Sequence, residues 1–583
     1  MKFTVESLLL VVLSLFLSVA LRAQSEIERR KPSAFPSQIT HVVVIVQENR
    51  TPDNLFHFLS PLCTIPKGAS GLNACTPSPV TSSCYDISPC GLSNKSGSVV
   101  PITLSEIPLT GSTNPAHSHK AFSQMCDPDP ANGYACRNDG AWQIKNTVKG
   151  ANSYVYVENT PVTNYDGSKG YILDPYLTYA EQYGWANYMY QTNQGSSYPA
   201  HQFIFSGTSA RTAAEDANST FVSEDFAPTE THGGCLAPKN TTSWLISPVL
   251  GSLGDGCLAY DSKSVQACPL TNTALDPPTN PVGSFCDSKP TMGSVLDTEA
   301  VTWKYYAPNA GDIWTAPNSI QSICVPQFIG KTSDLECTGT EWNANVDLNH
   351  KGADVLNDIT NCNLSSVSWV IPDGDWSDHP GPGGANIHGP SWVAALINSI
   401  GQNPVCPAGT LDAGQTFWNN TAIIVTWDDW GGFSDNQPPV ISPGLPCTSN
   451  NCQADYQYGF RVPLIVVSAY TPQGYINNET QDFGSILRTI EGIYGITQGT
   501  LGFADVRSTT DLSGFFTGAF RAYTPVPTVE PASYFLGKKA QAGPPTPPDD
   551  DEDDTDDGIG QDRGPSVSQS GHSSRQNQFS NAL

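Results

Sequence analysis

An α/β fold with a mostly parallel sheet sandwiched by helices is the architecture this sequence predicts, on three observations. Residues 42–46, 369–371, 422–425 and 464–467 are short apolar runs that are continuous rather than alternating. Runs of that kind, rich in Val and Ile, read as strands covered on both faces, as in a parallel sheet under helices. Helical spacing falls between and after them, and polar, chemistry-bearing residues follow directly on three of the runs.

The helices have their own signals. Trp392, Val393, Leu396, Ile397 and Ile400 recur at helical spacing. So do Phe483, Ile486, Leu487, Ile490 and Ile493, with Asp482 placed to cap the first turn. Alternating strands and helices give a layered α/β body, and functional groups in such bodies gather past the carboxyl ends of the strands.

The ends of the chain read differently from the middle. Lys2 precedes an apolar run over residues 8–21, closing near Ala23, the pattern of a secretory signal over residues 1–23. That run is shorter than the roughly 20 residues a membrane span needs. Residues 24–38 read as a polar lead-in and residues 39–535 as one catalytic body. Residues 540–583 carry a Pro-rich stretch and eight acidic residues between Asp549 and Asp557, a composition that buries no core. Sixteen cysteines in an exported chain read as disulfides, many in loop-like insertions. Cys447 and Cys452 are close enough in sequence to staple one loop. The expected location is secreted or periplasmic, with no membrane anchor after signal cleavage.

A formal charge of −27 over 583 residues excludes a broad nucleic-acid-binding face. An anionic substrate therefore needs a local cation. The strand ends provide ligands for one. Residues 42–46 lead into Gln47-Glu48-Asn49-Arg50, and residues 422–425 into Thr426-Trp427-Asp428-Asp429-Trp430. Residues 367–371 lead into Asp373, Asp375, Asp378 and His379. Carboxylates gathered at one sheet edge repel one another unless an ion sits among them, and oxygen ligands suit a divalent metal. No GxSxG or HExxH pattern offers a competing chemistry.

These residues carry a resemblance. Glu48-Asn49-Arg50-Thr51-Pro52-Asp53 resembles the Glu-Asn-Arg-Ser-Phe-Asp motif of the bacterial phospholipase C and acid phosphatase (phosphoesterase) family, which has an alkaline-phosphatase-like fold. Residues 426–433, Asp378-His379-Pro380, His117-Ser118-His119, Gly459-Phe460-Arg461 and Asp482-Phe483-Gly484-Ser485 resemble further segments of that family, in its order, from about residue 39 to 496. The resemblance implies a hydroxyl nucleophile two residues before a proline. That is Ser197 in Ser196-Ser197-Tyr198-Pro199-Ala200-His201, with Ser196 and Thr192 as rivals.

The implied chemistry is phosphoester hydrolysis through a phosphoserine. Glu48, Asn49, Asp428 and Asp429 hold one or more divalent ions, whose identity stays open. Ser197 attacks, His379, His117 and His388 serve as catalytic histidines, and Arg50 and His201 touch the substrate. Two departures stand out. The family often has Asn-Arg where this chain has Ala200-His201, and Phe-Tyr-Asp-His where it has Phe433-Ser434-Asp435-Asn436. His388 either substitutes for the missing histidine or is a second site histidine. Trp376, Trp427 and Trp430 either line a mouth for a choline-like headgroup or pack the interior. Phosphomonoester, phosphodiester and phospholipid substrates all remain open, and the rival reading is an exported binding protein that kept the fold and lost catalysis.

Overall fold

The computed structural model describes residues 35–537 apart from 64–82, 110–113, 130–134, 145–152, 227–233, 237–241, 249–267, 272–285, 329–334, 381–387 and 443–455. The signal, most of the lead-in, the acidic tail, Cys447, Cys452 and His232 lie outside the described residues.

One eight-stranded sheet organises the body. Its strands are β1 (His41–Gln47), β2 (Gly184–Ala186), β3 (Trp303–Tyr306), β4 (Val346–Asp347), β5 (Val367–Val370), β6 (Thr421–Trp427), β7 (Leu464–Val467) and β8 (Tyr475–Asn477). The spatial order is β4-β3-β5-β1-β6-β7-β2-β8. Every pairing is parallel except those of β7, which runs against both β6 and β2. β1 sits between β5 and β6, with Val44 opposite both Trp369 and Ile424. All residues of β1, β5, β6 and β7 are buried, as continuous apolar runs require.

Five helices matter for the site: α1 (His119–Cys126), α2 (Asp174–Gln182), α3 (Ser197–Ser206), α4 (Gly389–Gly401) and α5 (Phe483–Ile493). α2 packs with α4, and α3 packs with α5. The two pairs cover opposite faces. Phe205 of α3 meets the rings of Trp303, Tyr305 and Trp369, residues in register with or two removed from the Val44 row. Tyr176 of α2 meets Trp427, which is paired with Gln47 three residues on from Val44. Side chains alternate along a strand, so an odd offset changes face. α5 starts as the sequence predicts: Asp482 accepts from the Ser485 N–H and Ser485 answers in a reciprocal capping box.

A sixth helix, α6 (Ala532–Leu536), closes the body. Its Phe535 sits against Trp376 and Trp392 at ring distances of 5.5 and 5.0 Å. At the other end Phe35, inside the stretch read as a polar lead-in, is buried against Phe516. Disulfides join Cys63–Cys84, Cys126–Cys136, Cys235–Cys286, Cys324–Cys337 and Cys362–Cys406 among the described residues.

Candidate active site

Parallel pairing of β1 and β6 delivers Glu48-Asn49 and Asp428-Asp429 side by side at the carboxyl edge, because Gln47 is opposite Trp427. Continuing the alternation past the strand ends places Glu48 and Asp428 on the α3 face. The two segments then cross closely. Asn49 takes the left-handed conformation (φ 58°), which Asn tolerates better than most residues. Gly431 opposite is also left-handed (φ 61°), and a Cβ there would stand 2.4 Å from the Asn49 carbonyl oxygen. The Asn49 N–H donates to Asp428 Oδ1 (2.9 Å), and the Arg50 N–H to the Asp429 carbonyl (3.0 Å).

α3 enters from the covering layer. Ser197 is its first residue, and its hydroxyl donates to Asp429 Oδ2 at 3.2 Å. One helical turn on, His201 Nε2 lies 3.2 Å from Glu48 Oε1 and 3.8 Å from Asp428 Oδ2. Positions i and i+4 share a helix face, so hydroxyl and imidazole arrive together. Ser196 is the residue before the helix, and its buried hydroxyl has no hydrogen-bond partner. Thr192 Oγ1 is engaged with Asp482 Oδ2 (3.0 Å) and the Phe483 N–H (3.1 Å). Of the three hydroxyls, Ser197 is the one the structure brings to the carboxylates.

Electrostatics make this cluster incomplete as it stands. Glu48, His201, Asp428 and Asp429 are all fully buried. Burial, with Asp428, Asp429 and Asp312 nearby, pushes the Glu48 carboxyl well above its ordinary range. Burial also works to raise Asp428, but the hydrogen bond from Glu48 and the neighbouring His201 outweigh it and hold Asp428 low. The two carboxyls are thus pushed in opposite directions, Glu48 up and Asp428 down. His201 is pushed down to about 4 by burial, so its imidazole is neutral at neutral pH.

Single ligand atoms of Glu48, His201 and Asp428 lie within 4.8 Å of one another. Asp428 Oδ2 and Asn49 Oδ1 are buried without a hydrogen-bond partner. Orphaned oxygens beside a carboxyl–carboxylate pair and a neutral imidazole are a donor set that fits a divalent cation.

The histidines divide. Asn49 Nδ2 lies 3.0 Å from His117 Nε2, and His117 Nδ1 lies 3.0 Å from the Pro115 carbonyl, which assigns the ring proton to Nδ1 and the lone pair to Nε2. That bond also turns Asn49 Oδ1 outward as a donor atom. The His379 ring is 6.1 Å from that of His117, and its Nδ1 donates to the Pro380 carbonyl (2.6 Å). His119 Nδ1 bonds the Gln194 carbonyl (2.8 Å) and ties α1 to the turn before Ser197. His388 lies at the start of α4 against the C-terminal segment, 3.1 Å from Tyr534 Oη and 3.8 Å from Glu530. His41 pairs with Asp412 and His350 with Asp354.

Several expected site residues take other partners. The Arg50 guanidinium donates to the Asp378 carbonyl and to Asn54 Oδ1, and lies over the Phe433 ring. The strand end after β5 adds no carboxylate to the Glu48–Asp428 pair. Asp373 and Asp375 bond Lys351, while Asp378 accepts from Tyr176 Oη (2.7 Å) and Trp427 Nε1 (3.1 Å) on the opposite face. Trp376, Trp427 and Trp430 are fully buried packing residues rather than a mouth. Trp376 packs against Trp392 and Phe535, and Trp430 against Phe122 and Phe460, in tilted or edge-on ring contacts.

Two groups were not foreseen. Trp314 places its ring 6.3 Å from His201 and 6.0 Å from His379, and Asp312, pushed up to about 6 by burial, adds to the negative field at Glu48. Both follow β3, whose Trp-Lys-Tyr-Tyr sequence lacks the apolar signature of its neighbours. The second is a buried network around Arg461. Its guanidinium bonds both oxygens of Asp435 (2.6 and 2.9 Å) and the carbonyls of Asp86 and Asn187, and lies 3.5 Å from Asp53.

Comparisons with known proteins bear on the family. The chain is 24% identical over 224 residues to the non-hemolytic phospholipase C of Pseudomonas aeruginosa, covering 35% of this chain and 29% of that protein. It is 31% identical over 175 residues to the non-hemolytic phospholipase C of Burkholderia pseudomallei, covering 27% and 22%. It is 31% identical over 157 residues to phospholipase C B of Mycobacterium tuberculosis, covering 24% and 27%. The matched segments thus span less than a third of each relative. Among solved structures, an alkaline phosphatase superfamily protein from Vibrio parahaemolyticus aligns over 57% of this chain and 62% of its own at 10% identity, with a TM-score of 0.27. The model of the Phosphoesterase family matches residues 39–497, most of the described body from β1 through α5, and the chain belongs to that family.

Proposed function

We propose that this protein is an exported, metal-dependent phosphoesterase that hydrolyses phosphate esters through a Ser197 phosphoserine. The observation that carries the reading is the Ser197 hydroxyl hydrogen-bonded to Asp429 at the rim of a buried Glu48–His201–Asp428 cluster with orphaned donor oxygens. Membership of the family and the phospholipase C relatives support the same reaction class. Five disulfides among the described residues support export. No described helix is long and apolar enough to cross a membrane.

Glu48, Asn49, Asp428 and Asp429 would hold the ion. Bound there, a divalent cation neutralises phosphoryl oxygens and lowers the pKa of the nearby hydroxyl. Asp429 Oδ2 accepts the Ser197 proton as Oγ forms its bond to phosphorus. The amino end of α3, which starts at Ser197, is the positive end of the helix dipole and favours the phosphoryl anion. As the bond from phosphorus to the leaving oxygen breaks, that oxygen takes a proton from water or from Nε2 of a doubly protonated His379, whose Nδ1 proton is held by the Pro380 carbonyl. A water then attacks the phosphoserine, returns the Ser197 hydroxyl and frees the phosphoryl product.

The test is a panel of p-nitrophenyl phosphate, bis-p-nitrophenyl phosphate and phosphatidylcholine, each assayed with and without chelator and with Ser197→Ala. Chelator-sensitive turnover that Ser197→Ala abolishes is expected on at least one substrate. Turnover unaffected by both treatments overturns the mechanism. No turnover on any of the three, by protein shown to carry a metal, favours a binding protein that kept the fold.

A further inference from the structure

Resting on that reading, we propose that His201 is itself a metal ligand, and that its nitrogen selects a first-row transition ion over magnesium or calcium. Three observations converge on the ring. His201 Nε2 is within ligand reach of the same point as Glu48 and Asp428 oxygens. The helix that carries it also carries Ser197 one turn earlier, so ligand and nucleophile are fixed to one rigid element. Trp314 lies across the ring with an interplanar angle of 24°, which holds the imidazole plane toward the carboxylates.

The imidazole offers a nitrogen donor at a point where its neighbours Glu48 and Asp428 offer oxygens. Magnesium and calcium take oxygen ligands almost without exception, whereas imidazole suits manganese, iron, cobalt and zinc. With Asn49 Oδ1, Glu48 and Asp428 the set is one nitrogen among oxygens, a mixed set that favours ions of intermediate softness.

The competing account is that Nε2–H only donates to Glu48 Oε1 at 3.2 Å and orients that carboxylate. The two accounts differ in where the nitrogen lone pair goes. In the ligand account the ring proton moves from Nε2 to Nδ1, which is buried without a partner in the structure, and the Nε2 pair binds the ion.

Full-length protein stripped with chelator would be titrated calorimetrically with Mn²⁺, Co²⁺, Zn²⁺, Mg²⁺ and Ca²⁺, alongside His201→Gln and Glu48→Gln. His201→Gln keeps an amide donor for Glu48 but no imidazole. The expected result is tighter binding of the transition ions than of Mg²⁺ or Ca²⁺ by wild type. His201→Gln should lose transition-ion affinity by at least about tenfold, the low end of what disturbing a ligand's surroundings costs, with Mg²⁺ affinity changed far less. Pulsed electron paramagnetic resonance of the Mn²⁺-loaded protein should show nitrogen coupling that vanishes in His201→Gln. Equal affinity for all five ions, or nitrogen coupling that survives the substitution, overturns the inference and leaves the proposed function standing. A wild type that binds none of the ions, like Glu48→Gln, overturns both. Circular dichroism on each variant separates ligand loss from unfolding.

Discussion

Two buried acid clusters are built from the same two stretches of chain, and they solve the same electrostatic problem in opposite ways. Glu48 and Asp53 lie five residues apart, and their partners Asp429 and Asp435 lie six apart. In one network Asp53, Asp86 and Asp435 close around Arg461, whose guanidinium binds Asp435 through two nitrogens. Remaining oxygens accept from Ser88, Asn436 and Gln437. In the Glu48–Asp428 cluster no arginine or lysine enters among the described residues, the Glu48 carboxyl is pushed well above its ordinary range by burial and by the neighbouring aspartates, and Asp428 Oδ2 and Asn49 Oδ1 stay orphaned. A buried carboxylate cluster that supplies its own cation is scaffold. One that leaves the cation out is what the proposed metal site requires. Asp53 therefore belongs to the family motif without touching the chemistry: it anchors the turn after Glu48-Asn49.

The largest expected effect breaks the comparison at its functional pole. Ser197→Ala should lower kcat by about three orders of magnitude or more, since groups that act as a unit fail together. Ser196→Ala should stay within a few-fold, and steady-state assays on the best substrate of the panel check both. At the structural pole, Arg461→Met leaves three carboxylates buried without a counter-charge. Removing one partner of a buried ion pair costs about 3–5 kcal/mol, so urea unfolding should show a large loss or no folded protein. Arg461→Lys, which keeps the charge but not the fork, should recover part of it.

A smaller effect has the opposite sign. Glu48→Gln removes a carboxyl that is strained by burial, so the chelator-treated variant should be as stable as wild type or up to about 1 kcal/mol more stable, while losing activity. A destabilisation as large as that of Arg461→Met would mean that both clusters are scaffold. The smallest effect lies outside both and calibrates their pH dependence. Burial lowers the His57 pKa to about 4, with its ring stacked on Tyr156 at 3.9 Å. The unfolded chain binds this proton more readily, so His57 contributes stability above about pH 6.5 that is lost as pH falls toward 4. In His57→Phe that part of the acid slope of the melting temperature should disappear, leaving the slope that belongs to the carboxylates.

How much of this was legible follows from which signals are local. β1, β5, β6 and β7 were readable because full burial on both faces leaves an unbroken apolar run. Direction leaves no such mark, and the reversal of β7 was invisible in Leu464-Ile465-Val466-Val467. β3 was missed because Trp303, Tyr305 and Tyr306 bury aromatic rings while Lys304 reaches Asp358, so the run is neither continuous nor simple. At the site, Glu48, Asn49, Asp428 and Asp429 were found by adjacency to strand ends. His201 was expected at the substrate, although its spacing from Ser197 already put it on the nucleophile's side of the helix. Asp378 follows a strand end just as Asp428 does, yet alternation sends it to the other face, and only the register of Gln47 with Trp427 reveals that.

The central position of β1 also governs how the chain comes to be folded at all. Its two partners are β5 and β6, more than three hundred residues further along. During synthesis, the five apolar residues 42–46 emerge early and wait for more than half of the chain before either flank can be covered. Such long-range pairing is slow, and an uncovered β-branched strand invites pairing between chains. A chain ending before residue 421 should therefore be recovered as aggregate. The same delay keeps Glu48 and Ser197 apart from Asp428 and Asp429 until β6 has docked, so the proposed site is assembled only with the last third of the polypeptide.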